Sequence, residues 1–300
     1  MIEIRHALSD EEALLYLEVH AQVNPGTGTL EGFRHRERTW NAVNLVALLD
    51  DEPVGSGWTG PRQQGALWAG FGVVSSSRGR GVGTALYRAI SDLARSRELQ
   101  GLFIEVLQSD PDSLAWVVRR GFEELERQEA LALDLRAVKP GPLDVPAGVE
   151  IVTRAERADL VHEMYDVGVA AARDIPGLDG AGEPSFETWS AFEIERPSRD
   201  PELCFIAVAD GRAIGFASLD VFPDDAFHGL TAVAREWRGC GVGAALKLSQ
   251  IRAAKERGFP RLLTESQHEN EPMRRLNERL GFRPEPSMST IVLRGPLAGD

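Results

Sequence analysis

Cysteine is nearly absent from this chain of 300 residues, which has only Cys204 and Cys240. Two isolated thiols give neither a disulfide framework nor zinc-ligand spacing, so no metal is expected and the fold must rest on its apolar cores. Positive charge is also in deficit. Lys and Arg number 33 against 46 Asp and Glu, for a net charge of −13. The deficit is −5 over residues 1–140 and −8 over the rest, so neither half has the basic surplus of a nucleic-acid module. An acidic surface suits cationic amines, and it equally serves solubility alone. No apolar run reaches the length of a membrane span, and the opening MIEIRHALSDEE carries acidic residues where a secretory leader would be apolar. These absences lead to the expectation of a cytoplasmic protein with no nucleic-acid or membrane partner. Oligomeric state is left open.

A hydrophobic fraction of 43% over 300 residues is enough for about two domains. The second domain is visible as a repeat. FGVVSSSRGRGVGTALYRAI (71–90) returns as TAVAREWRGCGVGAALKLSQ (231–250), placing Arg78, Gly81 and Gly83 160 positions before Arg238, Gly241 and Gly243. In each copy a strand-like run enters a glycine turn and an amphipathic helix leaves it. Unpaired N–H groups at a helix start, together with the helix dipole, favour a phosphate, and glycines let the backbone approach it closely. Arg78, Arg80 and Arg238 add a fork of donors for phosphate oxygens. Gly239-x-Gly241-x-x-Ala244 also fits a dinucleotide fingerprint superficially, but here the turn follows a hairpin deep inside each repeat instead of a first strand.

The order of elements repeats as well. A strand at 2–7, a helix after Ser9 or Asp10, a break at Asn24-Pro25-Gly26 and a helix at 30–38 precede the hairpin 45–59, then the glycine turn, helix 81–96, strand 101–107, helix 112–120 and closing strands to 135. In the second half Ile151, a helix at 158–173 and the hairpin around Asp210-Gly211 play the same parts. Offsets of 147 at Ile4 and Ile151 but 160 from the hairpin onward require about 13 extra residues, assigned to DIPGLDGAGEPS (174–185). AVKPGPLDVPAGV (137–149) has no periodicity and reads as a linker. The expected architecture is α+β (mixed α/β), with a domain at 1–136, a linker at 137–148 and a domain at 149–300. Each domain would be a mixed, mostly antiparallel sheet flanked by helices.

Strand, Arg-x-x-Gly-x-Gly, helix, strand, helix and then Gly121-Phe122 or Gly281-Phe282 resembles the layout of the GNAT superfamily of N-acetyltransferases, twice over. The resemblance is most specific over 228–284, in His228 to Val233, Arg238 to Gly243, Leu246-Lys247, Asn270 to Met273, Asn277 and Leu280 to Phe282. It implies acetyl-CoA as co-substrate, with its pyrophosphate on Gly239, Gly241, Gly243 and Ala244 beside Arg238, and a second such site on Gly79, Gly81, Gly83 and Thr84 beside Arg78 and Arg80. It also implies pantetheine pairing along the strand edges at Val233 and Val73, a bond from Asn270 to the pantetheine arm, and Asn277 near the thioester. Two departures stand out: many members have tyrosine at the place of Asn277, and asparagine often stands at the place of Ser266. The first copy has Asp110, Ser113 and Val117 where the second has Asn270, Met273 and Asn277, so the second half is the expected catalytic one.

Acetyl transfer to a small-molecule amine needs an oriented thioester, a deprotonated amine and donors for the oxyanion. His228 and Glu265 are the candidate bases, and the Val233 N–H the implied oxyanion donor. His228 would otherwise be an ordinary strand histidine. Glu265 would face away if Thr264 and Ser266 turn inward, since neighbours on a strand alternate. Asn270 reads equally well as a helix cap. Asp174, Glu187 and Trp189 fall where the layout puts the acceptor. The alternative function is an acyl-CoA sensor without turnover.

Overall fold

The computed structural model describes residues 1–24, 28–174 and 182–299. The chain runs β1 (Ile2–His6), α1 (Asp10–Val23), α2 (Leu30–Trp40), β2 (Asn44–Leu49), β3 (Glu52–Gln63), β4 (Ala66–Val73), α3 (Val82–Ser96), β5 (Gly101–Leu107), α4 (Pro111–Val118) and β6 (Glu123–Asp134). It continues with β7 (Val149–Thr153), α5 (Val161–Ala172), α6 (Phe186–Glu193), β8 (Phe205–Ala209), β9 (Arg212–Val221), β10 (Ala226–Val233), α7 (Val242–Glu256), β11 (Arg261–Gln267), α8 (Glu271–Arg279), β12 (Arg283–Pro284) and β13 (Thr290–Pro296). The class is the expected α+β, with mixed, mostly antiparallel sheets.

Local chemistry explains the elements. Ser9 caps α1 in a capping box with Glu12, so the helix starts at Asp10. The hairpins turn at Asp50-Asp51 and Asp210-Gly211, all at positive φ, the left-handed geometry a two-residue hairpin requires. Pro111 and Pro272 sit in the first turns of α4 and α8, where the missing N–H costs nothing. The insertion assigned to 174–185 falls mainly on 175–181, outside the described residues, as does the Pro25-Gly26 break. Beyond the insertion lies a helix the sequence reading did not anticipate: Ser185 caps α6 by accepting from the Thr188 N–H.

Two compact units emerge, and they divide the chain differently from the expected boundaries at 136 and 149. Unit 1 is Met1–Glu126 with Thr290–Asp300, and unit 2 is Arg127–Ser289. The cause is an exchange of strands. β6 pairs antiparallel with β11, from Asp134 opposite Arg261 to Gln128 opposite Gln267, so most of it belongs to unit 2. β13 pairs antiparallel with β5, from Pro296 opposite Gly101 to Thr290 opposite Leu107, so it completes unit 1. Each unit's sheet therefore ends on a strand from the other sequence half.

In unit 1 the order is β1-β2-β3-β4-β5-β13, with β4 and β5 parallel. Leu86 and Ile90 of α3 pack on Leu45, Ala47, Leu67, Ala69, Leu102 and Ile104. In unit 2 the order is β7-β8-β9-β10-β11-β6, with β12 beside β6 and β10 and β11 parallel. Leu246 of α7 covers Ala207, Ile214 and Ala217, and Ile251 covers Leu219 and Leu262. On the other face Met164 and Val167 of α5 cover Ile206, Phe216 and Ala232.

Candidate functional site

Both glycine turns place positive-φ glycines at the start of a long helix. Gly79 and Gly239 have φ of 76°, and Gly81 and Gly241, which cap α3 and α7, have φ of 89° and 97°. Any other residue is strained in that region. Neither helix has a side-chain cap, so the first-turn N–H groups, including those of Gly83, Thr84, Gly243 and Ala244, point outward without a helical partner. Gly243 differs from Gly241: a Cβ there would meet Leu276 and Val233 at an ordinary 3.8 Å, so only an approaching ligand would require glycine.

The arginines do more than wait for an anion. Arg238 Nε donates to the Val233 carbonyl at 2.9 Å, and Arg78 Nε to the Val73 carbonyl at 3.2 Å, tying each turn back to its strand. Arg238 Nη1 also pairs with Asp174 Oδ2 at 2.7 Å, and Asp174 holds Arg235 by its other oxygen. These arginines keep the Asp174 carboxyl below its usual range. Asp174 thus sits at the glycine turn, not in an acceptor pocket. Arg80 lies 3.6 Å from Asp50. In unit 1 Arg120, which the sequence reading missed, stacks 3.4 Å over Trp116 and donates to Thr84 Oγ1 in the first turn of α3. Asn270 is the N-cap of α8, its Oδ1 accepting from the Met273 N–H at 3.3 Å.

Ahead of each turn the two parallel strands separate. β10 touches β11 only through Ala226 opposite Leu262 and Phe227 opposite Leu263, leaving the edge from His228 to Val233 free of that neighbour. β4 and β5 separate after Trp68 opposite Phe103, leaving the edge up to Val73. The openings are alike in backbone but opposite in lining. In unit 2 alternation turns Leu262, Thr264 and Ser266 toward α7. A register shift between His228 and Thr231 brings His228 to the same side, its ring 5.6 Å from Phe282. Gly229 permits that bulge, because a Cβ there would lie 2.7 Å from Ser218 Oγ. Lys247 and Gln250 of α7 and Asn277 of α8 fill the rest of the wedge, all essentially without solvent exposure.

These groups are poorly satisfied. Both His228 ring nitrogens, both Asn277 amide atoms, Thr231 Oγ1, Gln250 Oε1 and Ser266 Oγ have no hydrogen-bond partner among the described residues. Such orphans are rare in cores and mark a place for water or ligand. By register and by the repeat, unit 1 has Ala69, Phe71, Tyr87, Ile90, Ile104, Val106 and Val117 in these places, all in or against its main core. Tyr87 packs edge-on against Trp116 at 5.9 Å and gives its hydroxyl to the Pro296 carbonyl.

The candidate bases do not converge. Burial, followed by the nearby Lys247, holds His228 well below the usual imidazole range, so the ring is neutral and enclosed. Glu265 is exposed on β11, on the face opposite Thr264 and Ser266 and hence away from His228 and Asn277. Trp189 is core, edge-on to Phe216 at 6.0 Å, and offers no ring face to a ligand. A cleft of about 760 Å³, lined in part by Asp134, Arg136, Asp225 and Arg261, lies at the start of β11, away from the glycine turn, and its Arg261 and Asp225 pair with each other.

The burial of Lys247 was not anticipated from the sequence, although a lysine four positions after Gly243 and four before Ile251 on a packed helix face was a legible anomaly. Burial lowers its ammonium from 10.5 to about 7. The native state therefore binds fewer protons than the unfolded chain between those values, and stability should rise with pH across that window, by up to about 1.4 kcal/mol per pH unit. Thermal unfolding of wild type and Lys247→Met from pH 7 to 10 should show the wild type gaining on the variant as pH rises. Parallel curves would mean that the amine is solvated in the native state.

The sequence profile of the acetyltransferase (GNAT) family matches residues 6–122 and again residues 170–282. Mycothiol acetyltransferase of Thermomonospora curvata is 28% identical over 254 residues, covering 82% of this chain and 80% of that protein. The enzyme of the same name from Acidothermus cellulolyticus is 29% identical over 264 residues, covering 80% and 76%. Among solved structures, a tandem GNAT protein from the clavulanic acid biosynthesis pathway covers 100% of both chains with a TM-score of 0.78 at 21% identity. A GCN5-related N-acetyltransferase from Sphaerobacter thermophilus covers 99% and 96% with a TM-score of 0.74 at 22% identity. With two profile matches, two glycine turns and two diverging strand pairs in one chain, this protein belongs to the acetyltransferase (GNAT) family, in tandem form.

Proposed function

We propose that unit 2 transfers an acetyl group from acetyl-CoA to the primary amine of a small molecule by direct attack, and that unit 1 binds a CoA-type anion or serves as its structural partner. The contrast between the two wedges carries this reading: unpartnered polar groups under the β10–β11 opening, apolar packing under the β4–β5 opening. In unit 2 the pyrophosphate would rest on the N–H groups of Gly239, Gly241, Gly243 and Ala244, with Arg238 released from Asp174 to reach it. Pantetheine would pair with the free edge of β10 near Val233 and take a bond from the Asn270 amide, placing the thioester over Asn277. A backbone N–H of that edge would receive the developing oxyanion. Glu265, on the exposed face, would take the amine proton through water, while neutral His228 would hold the floor.

In unit 1 the turn at Arg78, Gly79, Arg80, Gly81, Gly83 and Thr84, with the strand edge at Val73, would bind the same anion. Its wedge is apolar where that of unit 2 is polar, which favours binding without turnover there. The expected result is thiol release from acetyl-CoA with one or more amines of a panel that starts from the mycothiol-type acceptor for which the relatives are named. Mass should be followed alongside free thiol, since a thiol-bearing acceptor would itself react with the reagent. Tight acetyl-CoA binding with no transfer across the panel would leave the sensor reading in its place.

A further inference from the structure

Beside its unpartnered neutral groups, the wedge in unit 2 encloses a lysine. Lys247 is 1% exposed, its ammonium lies 5.8 Å from the centre of the Phe282 ring, and it has no ion pair among the described residues. A lysine is almost never buried without a partner, because its head is strongly hydrated and its stem long enough to reach water. Here the whole stem is enclosed on α7, one turn past Gly243. The buried residues on the same side are Leu219 of β9, Thr264 and Ser266 of β11 and Asn277 of α8, none of them charged; His228 on β10 is the titratable group beside it, and Arg274, one turn before Asn277 on α8, pairs with Glu129. The same place in unit 1 holds Tyr87, whose hydroxyl is tied to a backbone carbonyl.

Resting on the reading that unit 2 carries the thioester over Asn277, we propose that Lys247 is a catalytic residue that protonates the departing CoA sulfur. The neutral acceptor amine forms a C–N bond to the thioester carbonyl carbon, and the C–S bond breaks with its electron pair going to sulfur. Sulfur takes a proton from the Lys247 ammonium, and the resulting amine recovers one from solvent, which has received the proton lost by the acceptor nitrogen. Charge and protons balance without a further reactant. The other side chains of the floor cannot play this part. The amides of Asn277 and Gln250 and the hydroxyls of Thr264, Ser266 and Thr231 do not release protons near neutrality, and His228 is held in its neutral form by burial and by Lys247. Burial also makes the ammonium acidic enough to titrate near neutrality, where proton transfer to a thiolate is most effective.

The test compares wild type with Lys247→Met and Lys247→Gln, the first matching the stem and the second keeping a polar head that does not titrate. Acetyl-CoA affinity by calorimetry should stay within about threefold, while kcat falls about 10²-fold with little change in KM, the loss expected for one general acid. The alkaline fall of the wild-type kcat profile, marking loss of the ammonium, should vanish in both variants. Variants that bind acetyl-CoA and keep kcat within about threefold, or that retain the alkaline limb, overturn the assignment of Lys247 alone. Absence of acetyl-CoA binding by the wild type overturns both this assignment and the reading it rests on.

Discussion

Gly241→Val is expected to lower acetyl transfer by at least about 10²-fold, whereas Gly81→Val leaves it within about threefold. The two glycines are equivalent in backbone, capping α7 and α3 at φ of 97° and 89°. Valine at either position costs on the order of 1–3 kcal/mol of local strain and swings the first-turn N–H groups off their line. The consequences differ because the lining downstream differs. Only the turn at Gly241 feeds an opening floored by Lys247, His228 and Asn277. Calorimetry with acetyl-CoA on both variants separates binding from chemistry, since each should lose the site at its own turn. If Gly81→Val abolished transfer and Gly241→Val did not, the catalytic role would belong to unit 1.

A chain ending at residue 136 is expected not to fold, although it contains a whole sequence repeat. It lacks β13, and with it the pairing along β5 from Gly101 to Leu107, the buried Ile291 and Leu293, and the bonds from Tyr87 to the Pro296 carbonyl and from the Ala298 N–H to Ser91. Losing two large aliphatic side chains alone costs about 4–10 kcal/mol, which is comparable to the whole stability of a domain. Residues 1–126 joined to 290–299 through a Gly/Ser linker should instead unfold cooperatively in urea. A cooperative transition for the 1–136 chain, at a midpoint near that of the rejoined one, would show that β13 is dispensable.

The parts of this fold that depend on neighbours in sequence were legible. Glycine turns, caps, hairpins and the parallel strand flanking each long helix follow from residue types a few positions apart, and the offset of 160 doubled the signal for each. What escaped needed long-range information. β6 and β13 occupy matching places in the two repeats, and nothing in their alternation reveals that each completes the other half's sheet. The bulge at Gly229 brings His228 beside Phe282, whereas Trp68, its counterpart by numbering, stacks on Phe103 outside the main unit 1 core. Glu265 and His228 looked like alternatives for one site because both lie on strands near the opening, and only the strand faces separate them. α6 was overlooked because its first turn follows the 174–185 segment, where composition suggested only loop.

The strand exchange also sets an order in time. Every strand of unit 2 has been synthesised once Ser289 is reached, but unit 1 cannot close its sheet until β13 follows, more than 160 residues after β5. At about 5–20 residues per second, the ribosome leaves the β5 edge unpaired for on the order of 10 s. The half made first is therefore the half finished last, and through that interval a row of open backbone groups is available to chaperones or to the β5 edges of neighbouring nascent chains.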